Sequence, residues 1–501
     1  MLAAVRSATL IGVEGRPVTV EVHVASGLPG FQIVGLPDEA CRESRDRVRA
    51  AVLSSGLSWP QARVTVNLAP SGQRKGGSGL DLAIAMGVLA ADGQVPVEAV
   101  AGMAFIGELG LDGTLRPVPG VAPMVAASGD VRPVVPQACV REARVVAGDG
   151  VRVATRLGEV VAAVTGDEPW ARPPDDDVGD DEAPPPDLSD VRGQASARLG
   201  LEVAAAGGHH LLLVGAPGSG KTMLARRLPG LLPMLEPADA LTATMVHSAA
   251  GLALPPSGLI RRPPFRAPHH SSSTVALVGG GSGAMRPGEV SMASGGVLFL
   301  DELGEFAPTV LDSLRQPLEE GVIRVARARV HATLPARFLL VAATNPCPCG
   351  GGPPGSCECD EAARQRYLRR LSGPLLDRFD LRIGVHRPEV DDLLATGGGE
   401  STAVVAARVV AARQRSLERC GVLAGSIAPA DLDRLAPLHP VARDRLRREL
   451  EADRLTGRGY HRVRRVARTL ADLGGADELV LDEHVAVALA MRVRLGRRGA
   501  A

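Results

Sequence analysis

Short apolar runs bounded by glycine alternate along most of the chain with longer stretches of helical period. In residues 1–165 the β-like runs are 18–24, 62–68 and 100–106. The helical stretches there are 37–54 and 79–91, so this part predicts a compact α+β domain. Residues 191–390 pair short apolar strands with helices, the pattern of a parallel sheet covered by helices. Residues 400–501 are helical in pattern. Between the first two blocks, PPDDDVGDDEAPPPDLSD (173–190) has almost nothing to bury, and 166–190 reads as an acidic, Pro-rich, solvated linker. A shorter linker is expected at 391–401, and no internal repeat is visible. The expected class is α/β: an N-terminal α+β domain, an α/β core and a C-terminal helical lid.

Composition narrows the function. At 501 residues, about three domains are expected. No apolar run reaches the ~18–20 residues of a membrane span, and residues 1–10 lack the apolar core of a secretory signal. An integral membrane or secreted protein is excluded on this reading, and a cytoplasmic one is expected. Net charge is +0, so the whole chain carries no bulk footprint for nucleic acid. The distribution is uneven: residues 401–501 hold 19 Arg and 12 acids, a local +7. Lys75 and Lys221 are the only lysines. Arg in place of Lys, with much Ala and Val, reflects a GC-rich genome, so Arg abundance alone says little. Four of the seven cysteines fall between Cys347 and Cys359, too local for a secreted disulfide framework and closer to a metal cluster in a reducing cytosol.

The segment HHLLLVGAPGSGKTMLARRL carries the clearest chemistry. A buried strand, Leu211–Val214, runs into Gly215, Ala216, Pro217, Gly218, Ser219, Gly220, Lys221 and Thr222, a full G-x-x-x-x-G-K-[ST] phosphate loop, with a helix expected to begin with residues 223–228. Glycines let backbone N–H groups turn toward phosphate oxygens, Lys221 brings a cation to the β- and γ-phosphates of ATP, and Thr222 supplies a hydroxyl to Mg²⁺. GGVLFLDEL places Asp301 and Glu302 at the end of a second strand. There Asp301 holds the Mg²⁺ and Glu302 polarises the attacking water. A third strand, 338–343, ends in Thr344-Asn345, where an amide reaches the γ-phosphate or the water, although Asn before Pro is by default a turn former. Arg378 in LLDRFD and Arg458 in GRGYHRVRRVARTLADL would each be a solvated arginine if met alone. The order of loop, carboxylates, Asn, Arg and helical lid with Arg describes an AAA+ motor, whose sites lie between ring subunits with an arginine finger acting in trans.

RPPFRAPHHSSSTVALVGGG (262–281), MRPGEVSMASGGVLFLDEL (285–303), ATNPCPCG (343–350) and SGPLLDRFDL (372–381) resemble the Mg-chelatase-like AAA+ family known as YifB/ComM, over nearly the whole chain. The resemblance implies a homohexameric ATPase, with ComM members acting in branch migration of DNA during natural transformation. It assigns Asn345 to sensor 1, Arg378 to the arginine finger, and either Arg458 or Arg465 to sensor 2. The partner expected is branched or single-stranded DNA. The alternative is the motor subunit of a magnesium or cobalt chelatase, which remodels a protein partner. A chelatase motor normally lacks both a fused N-terminal domain and a Cys₄ segment.

Residues 1–165 resemble the Lon-protease-like domain, with Ser78 of KGGSGLDLAIAMGVLAA at the nucleophile position and Ala122 where Lon has its activating Lys. A Ser without a base is a poor nucleophile, so a scaffold is expected and a protease is not. Arg74 and Lys75 sit in a Gly-rich loop that either touches phosphate or is merely solvated. Cys347, Cys349, Cys357 and Cys359 form C-x-C-x₇-C-x-C, which closes around one structural Zn²⁺ or remains a loop of reduced thiols. Cys41, Cys139 and Cys420 are expected as small buried hydrophobes. Residues 321–338 read as a hairpin turning near 326–327, with Arg324, Arg327, Arg329 and His331 either gripping DNA or lying exposed without a partner. Arg266, His269 and His270 lie in a further loop that relatives use on substrate or partner. With 2% aromatics, any grip on DNA is ionic rather than stacking.

Overall fold

A computed structural model of the chain describes residues 1–72, 75–173, 183–281, 285–327, 330–351, 357, 359–371, 373–394, 398–475 and 478–493. The first part is built on a seven-stranded mixed sheet. Its order is Gly30–Val34, Arg63–Ala69, Glu14–Ala25, Leu2–Ile11, Met103–Phe105, Arg132–Pro136, Arg152–Ala154. Helix Asp81–Ala91 is buried at every residue, as its all-round apolar sequence DLAIAMGVLAA requires. Helix Glu39–Ser54 starts where the Asp38 carboxylate accepts the Cys41 N–H at 2.9 Å.

Two expectations shift here. Leu2–Ile11 is a long strand that pattern reading passes over, because the residues it buries, Ala3, Val5, Ser7 and Thr9 on one face and Ala8 on the other, are small or polar rather than large and apolar. The run 100–106 is strand only at Met103–Phe105; Val97–Val100, following Pro96, is a helical turn. The acidic linker is also shorter than expected. Ala171 bridges to Val153 and Trp170 packs on the N-terminal core. Beyond the gap, Leu188 and Val191 are buried in the core of the second part. Arg227 ties this end down through the Asp187 carbonyl at 2.7 Å and Asp190 at 2.9 Å. Residues 174–182, the center of the expected linker, lie outside the described residues.

The second part holds a parallel five-stranded sheet, ordered Phe265–Arg266, Val297–Leu300, Leu339–Thr344, Leu211–Val214, Leu381–Gly384. Successive residues face opposite sides. Leu211, Leu213, Phe299, Val341 and Ala343 join one core, and Leu212, Val214, Leu298, Leu300, Leu340 and Ala342 join the other. Both faces are covered, so these strands are apolar throughout rather than alternating. The lid helices Thr402–Cys420, Pro440–Glu451, Gly457–Leu473 and Asp482–Ala490 supply Val405, Val409, Leu446, Val463, Val466 and Val485 to the first of these cores. The expected second linker begins as a short exposed helix, Val390–Leu394. Among the described residues no helix is long and apolar enough to cross a membrane.

The two parts are joined by direct contacts. Helix Val121–Ala127 packs on helix Pro237–Ala250. Ser248 accepts the Ala122 N–H at 3.3 Å and donates to Glu142 at 2.6 Å, and its carbonyl accepts the Gly120 N–H at 2.8 Å. Burial pushes the Glu142 carboxyl up.

Candidate nucleotide site and the surfaces around it

The C-terminal ends of the parallel strands bring the motif side chains to one edge. Val214 lies opposite Thr344, so the phosphate loop and Asn345 leave adjacent strands side by side. The Gly215 N–H donates to the Thr344 carbonyl at 3.1 Å. A Cβ on Gly215 would stand 2.2 Å from the Val385 carbonyl oxygen, and Gly220 takes φ +94, so neither position accepts another residue without strain. The helix after the loop starts at Lys221, two residues before the expected start at 223, and runs only to Ala225. Pro229 has no N–H to continue the α-helical bonding, and the chain goes on as a 3₁₀ turn, Leu228–Leu231, with the proline in its first turn.

The Lys221 ammonium donates to the carbonyls of Gly215 (2.8 Å) and Ala216 (2.9 Å) and to Asn345 Oδ1 (3.2 Å). Burial lowers its pKa, opposed by the charges of Asp301 and Glu302. Thr222 Oγ1 donates to Asp301 Oδ2 at 2.6 Å, the pair that would share a Mg²⁺. The Glu302 backbone is left-handed, φ +51, and its carboxylate lies 3.2 Å from His270 Nδ1. A recess of about 280 Å³ opens between Thr222, Arg226, His269, His270, Asp301 and Glu302.

Sequence reasoning missed two residues here. His270 was read as part of a substrate loop, yet it meets Glu302. Gln194 donates through Nε2 to the Ser219 carbonyl at 2.8 Å, while its Oε1 and the Ser219 hydroxyl are buried without a partner among the described residues. Its signal was slight: a Gln after Arg192-Gly193, just before helix Ala195–Gly207.

Arg378, Arg458 and Arg465 do not join this edge. Arg378 precedes Leu381–Gly384, and His210 precedes Leu211–Val214. They therefore stand at the N-terminal ends of strands whose other ends hold the phosphate loop, with ~13 Å of strand between. Arg378 pairs with Glu319, and its carbonyl accepts from Arg462 at 3.0 Å. Burial and the guanidiniums of Arg462, Arg458 and Arg315 lower its pKa. Two residues on, buried Asp380 accepts from Arg462 at 2.5 Å and meets His209 Nδ1 at 3.0 Å, while His209 Nε2 meets Thr469 at 2.7 Å. The His209 contact and the nearby Arg462 and His210 hold the Asp380 carboxyl near 2 against its burial. A cavity of about 830 Å³ opens here, lined by His210, Glu319, Arg337, Arg378, Arg462 and Arg465. Of the two sensor 2 candidates, Arg465 shares this cavity with Arg378. Arg458 is exposed and lies 3.5 Å from Asp377.

The four cysteines converge. Their sulfurs all lie within 4.8 Å of one another; Cys347 is 3.3 Å from Cys349 and 3.5 Å from Cys357, and Cys349 is 3.6 Å from Cys357. Four thiolates around one Zn²⁺ at ~2.3 Å stand ~3.8 Å apart, so the donor set fits that ion. The Gly351 N–H and neighbouring thiols draw Cys349 down to about 6, and Arg364 lowers Cys357. The cluster touches the phosphate loop: a Cβ on Gly350 would meet Pro217 at 2.7 Å. Of the remaining cysteines, Cys41 and Cys139 are buried, whereas Cys420 is half-exposed and donates to the Ser416 carbonyl at 3.1 Å.

Other expected contacts resolve differently. Lys75 is neither solvated nor offered to phosphate: it is fully buried, with its ammonium on the Pro70 carbonyl. Arg74 lies outside the described residues. The Ser78 hydroxyl donates to Glu108, and Ala122 is buried against the second part. Arg266 is held by both oxygens of Glu289, at 2.6 and 2.9 Å, which ties up the cation expected for DNA. The basic hairpin is present as Val322–Arg327 paired with Val330–Pro335. Ala326 and Arg327, expected at the turn, are still in the ladder, opposite His331 and Val330. Arg324 pairs with Glu320. Arg329 and the side chains of Arg327 and His331 lie outside the described residues.

A phosphate loop and paired carboxylates on adjoining ends of a parallel sheet, with an Asn between them and a helical lid behind, define an ATPase of the AAA+ class. Family profiles agree: "Subunit ChlI of Mg-chelatase" matches residues 20–138, "Magnesium chelatase, subunit ChlI" matches 187–393, and "Magnesium chelatase, subunit ChlI C-terminal" matches 399–492. The chain is 48% identical over 500 residues to Rv2897c of Mycobacterium tuberculosis, covering 98% of this chain and 99% of that one. It is 42% identical over 499 residues to YifB of Escherichia coli and 41% identical over 498 residues to the competence protein ComM of Haemophilus influenzae, covering 98% of this chain and 97% of each relative. A shorter match, 27% over 213 residues, joins 42% of the chain to 27% of the probable DNA helicase MCM9 of Arabidopsis thaliana. The chain belongs to the YifB/ComM family of Mg-chelatase-like AAA+ ATPases.

Proposed function

We propose that this chain is an ATP-hydrolysing motor, assembled as a homohexameric ring in the cytoplasm, that translocates on DNA and drives branch migration. One observation carries the reading. Lys221, Thr222, Asp301, Glu302 and Asn345 share one edge of the sheet, while Arg378 and Arg465 share a cavity at the opposite strand ends. A single subunit cannot bring the two sets together; head-to-tail neighbours in a ring can. In that arrangement Lys221 leaves its own loop carbonyls for the phosphates of ATP. Thr222 and Asp301 hold the Mg²⁺, which when bound neutralises charge on the β- and γ-oxygens. Glu302 orients the attacking water, Asn345 senses the γ-phosphate, and Arg378 stabilises charge on the neighbour's phosphates. Arg465, rather than Arg458, is the sensor 2 residue acting alongside it.

DNA is the substrate because the sequence of residues 321–338, which contains the hairpin strands, carries Arg324, Arg327, Arg329 and His331, because one relative is named a competence protein, and because a second is named a probable DNA helicase. The four thiols hold one structural Zn²⁺ beside the phosphate loop. The N-terminal part is a docked scaffold and cleaves no protein, since Ser78 faces Glu108 and not an ammonium. The test is ATP turnover of the purified chain with no DNA, with linear duplex and with forked or four-way DNA. Stimulation greatest on branched DNA is expected, in protein carrying about one Zn²⁺ per chain. The second reading, a chelatase-type motor acting on a protein, is favoured by the profile descriptions. The profile over 20–138 also carries a ChlI description, so the N-terminal part does not by itself separate the two readings. Turnover indifferent to every DNA would move the chelatase-type motor ahead.

A further inference from the structure

The lid helix Gly457–Leu473 turns one stripe of side chains toward Arg378. Arg458, Arg462, Arg465 and Thr469 stand at i, i+4, i+7 and i+11, the spacing of a single helical face. Arg458 lies 3.5 Å from Asp377, and Arg465 shares the Arg378 cavity. Thr469 meets His209 Nε2 at 2.7 Å, and His209 Nδ1 meets Asp380 at 3.0 Å. Arg462 makes the most direct contact. A single nitrogen, Nη1, donates both to the Arg378 carbonyl at 3.0 Å and to Asp380 Oδ1 at 2.5 Å. Among the described residues that carbonyl has no other donor. The stripe therefore grips the chain from Asp377 to Asp380. On the sheet side the same chain is fixed independently: Phe379 is fully buried, and the N–H groups of Asp380 and Leu381 both donate to the His210 carbonyl at 3.1 Å.

We propose that Arg462 is a positioning residue: it fixes the backbone of Arg378 so that the guanidinium reaches across the ring interface to the neighbour's ATP. The proposal rests on the reading of Arg378 as the arginine that acts in trans. Arg378 is the last residue before the chain is fixed to the sheet, so its peptide is the unit that an outside donor can orient. A misplacement of ~1 Å at a reacting charge costs up to ~100-fold in rate, and a long side chain amplifies any tilt of its own backbone. Arg462 suits this role rather than that of a second phosphate ligand, because Asp380 offsets its charge and its Nη1 is already taken twice. The lid thus enters the trans site in two ways, through Arg465 in the cavity and through Arg462 behind Arg378.

The test is steady-state ATP turnover of full-length Arg462→Met and Arg462→Lys, alone and in mixed rings. Met keeps an apolar stem and donates nothing, whereas the Lys ammonium can make both hydrogen bonds from one nitrogen. Arg462→Met is expected to lower kcat about thirtyfold with KM for ATP within about twofold, because its own phosphate loop is untouched. Arg462→Lys is expected to stay within about threefold of the parent. Mixed with Lys221→Ala, Arg462→Met should regain turnover as Arg378→Ala does; mixed with Arg378→Ala it should regain none, since both lack the same function. If Arg462→Met does not fold, Arg462→Gln, too short to reach the Arg378 carbonyl, takes its place with the same expectations. A kcat within about twofold of the parent, an effect confined to KM, a Lys variant as slow as Met, or no recovery with Lys221→Ala where Arg378→Ala recovers, each overturns the proposal and leaves the action of Arg378 in trans intact. Co-assembled rings in which Arg378→Ala also fails to recover overturn both.

Discussion

The chain's two lysines sit in similar sequence and do opposite things. Lys221 follows GAPGSG and Lys75 precedes GGSG, each in a glycine-rich loop just before a helix. Lys221, itself largely buried, stands at the C-terminal strand edge, where its ammonium meets two carbonyls and Asn345, all of which phosphate oxygens could replace. Lys75 is enclosed, and its ammonium is fixed on the Pro70 carbonyl. What separates them is the setting, not the loop: the first follows a strand of a parallel sheet at its C-terminal edge, where α/β folds bind ligands, whereas the second lies inside a packed mixed-sheet domain. A glycine-rich loop with a lysine becomes a phosphate site only when the fold places that lysine at a ligand-binding strand edge with other polar groups converging on it.

The sharpest way to break this contrast is Lys221→Ala. It should lower ATP turnover by about a thousandfold or more, since the cation stabilises charge that builds up as the γ-phosphate leaves. Near-parental turnover would remove the assignment. Lys75→Ala should do the reverse. It removes a buried stem and leaves the Pro70 carbonyl unpaired, which costs about 2–3 kcal/mol of stability in denaturant unfolding, yet turnover per folded molecule stays within about twofold. A turnover defect as deep as that of Lys221→Ala would mean that the two loops are not so different.

A smaller effect concerns His210, at the far strand ends. Its Nδ1 accepts the Leu340 N–H at 3.0 Å, which requires the neutral ring, and burial pushes its pKa down to about 4. The unfolded chain takes up a proton near pH ~6.5 that the folded chain refuses until about 4. Folding stability therefore falls as pH drops through that window, by at most about 1.4 kcal/mol per pH unit from this group. His210→Asn keeps an acceptor for Leu340 and should flatten that part of the stability profile; an unchanged slope would assign the acid sensitivity elsewhere.

Much of the nucleotide edge was legible in the sequence because phosphate binding constrains backbone. Gly215 and Gly220 are required by contact and by φ, and the strands around them are apolar because both faces are covered. The arginines were legible as residues but not as places: chain order suggested Arg378, and only the register of Leu381–Gly384 with Leu211–Val214 puts it at the opposite strand ends. Lys75 misled because local composition says nothing of burial. The Leu2–Ile11 strand was hidden by the small and polar residues it buries. His270 and Gln194 depend on tertiary neighbours, Glu302 and the Ser219 carbonyl, that lie 32 and 25 residues away. The hairpin was found with its turn too early, since Ala326 and Arg327 suit strand as well as loop.

The central claim is that each ATP site is completed by a neighbour, with the phosphate loop from one subunit and Arg378 from the next. Mixing Lys221→Ala with Arg378→Ala subunits tests it most directly. Each variant alone should hydrolyse almost nothing, with Arg378→Ala still binding ATP. In mixed rings some interfaces pair an intact loop with an intact arginine, so turnover should reappear, at about a quarter of parental at equal ratio if subunits assort at random and sites act independently. Mixed rings that co-assemble yet show no turnover above the sum of the separate variants would contradict it.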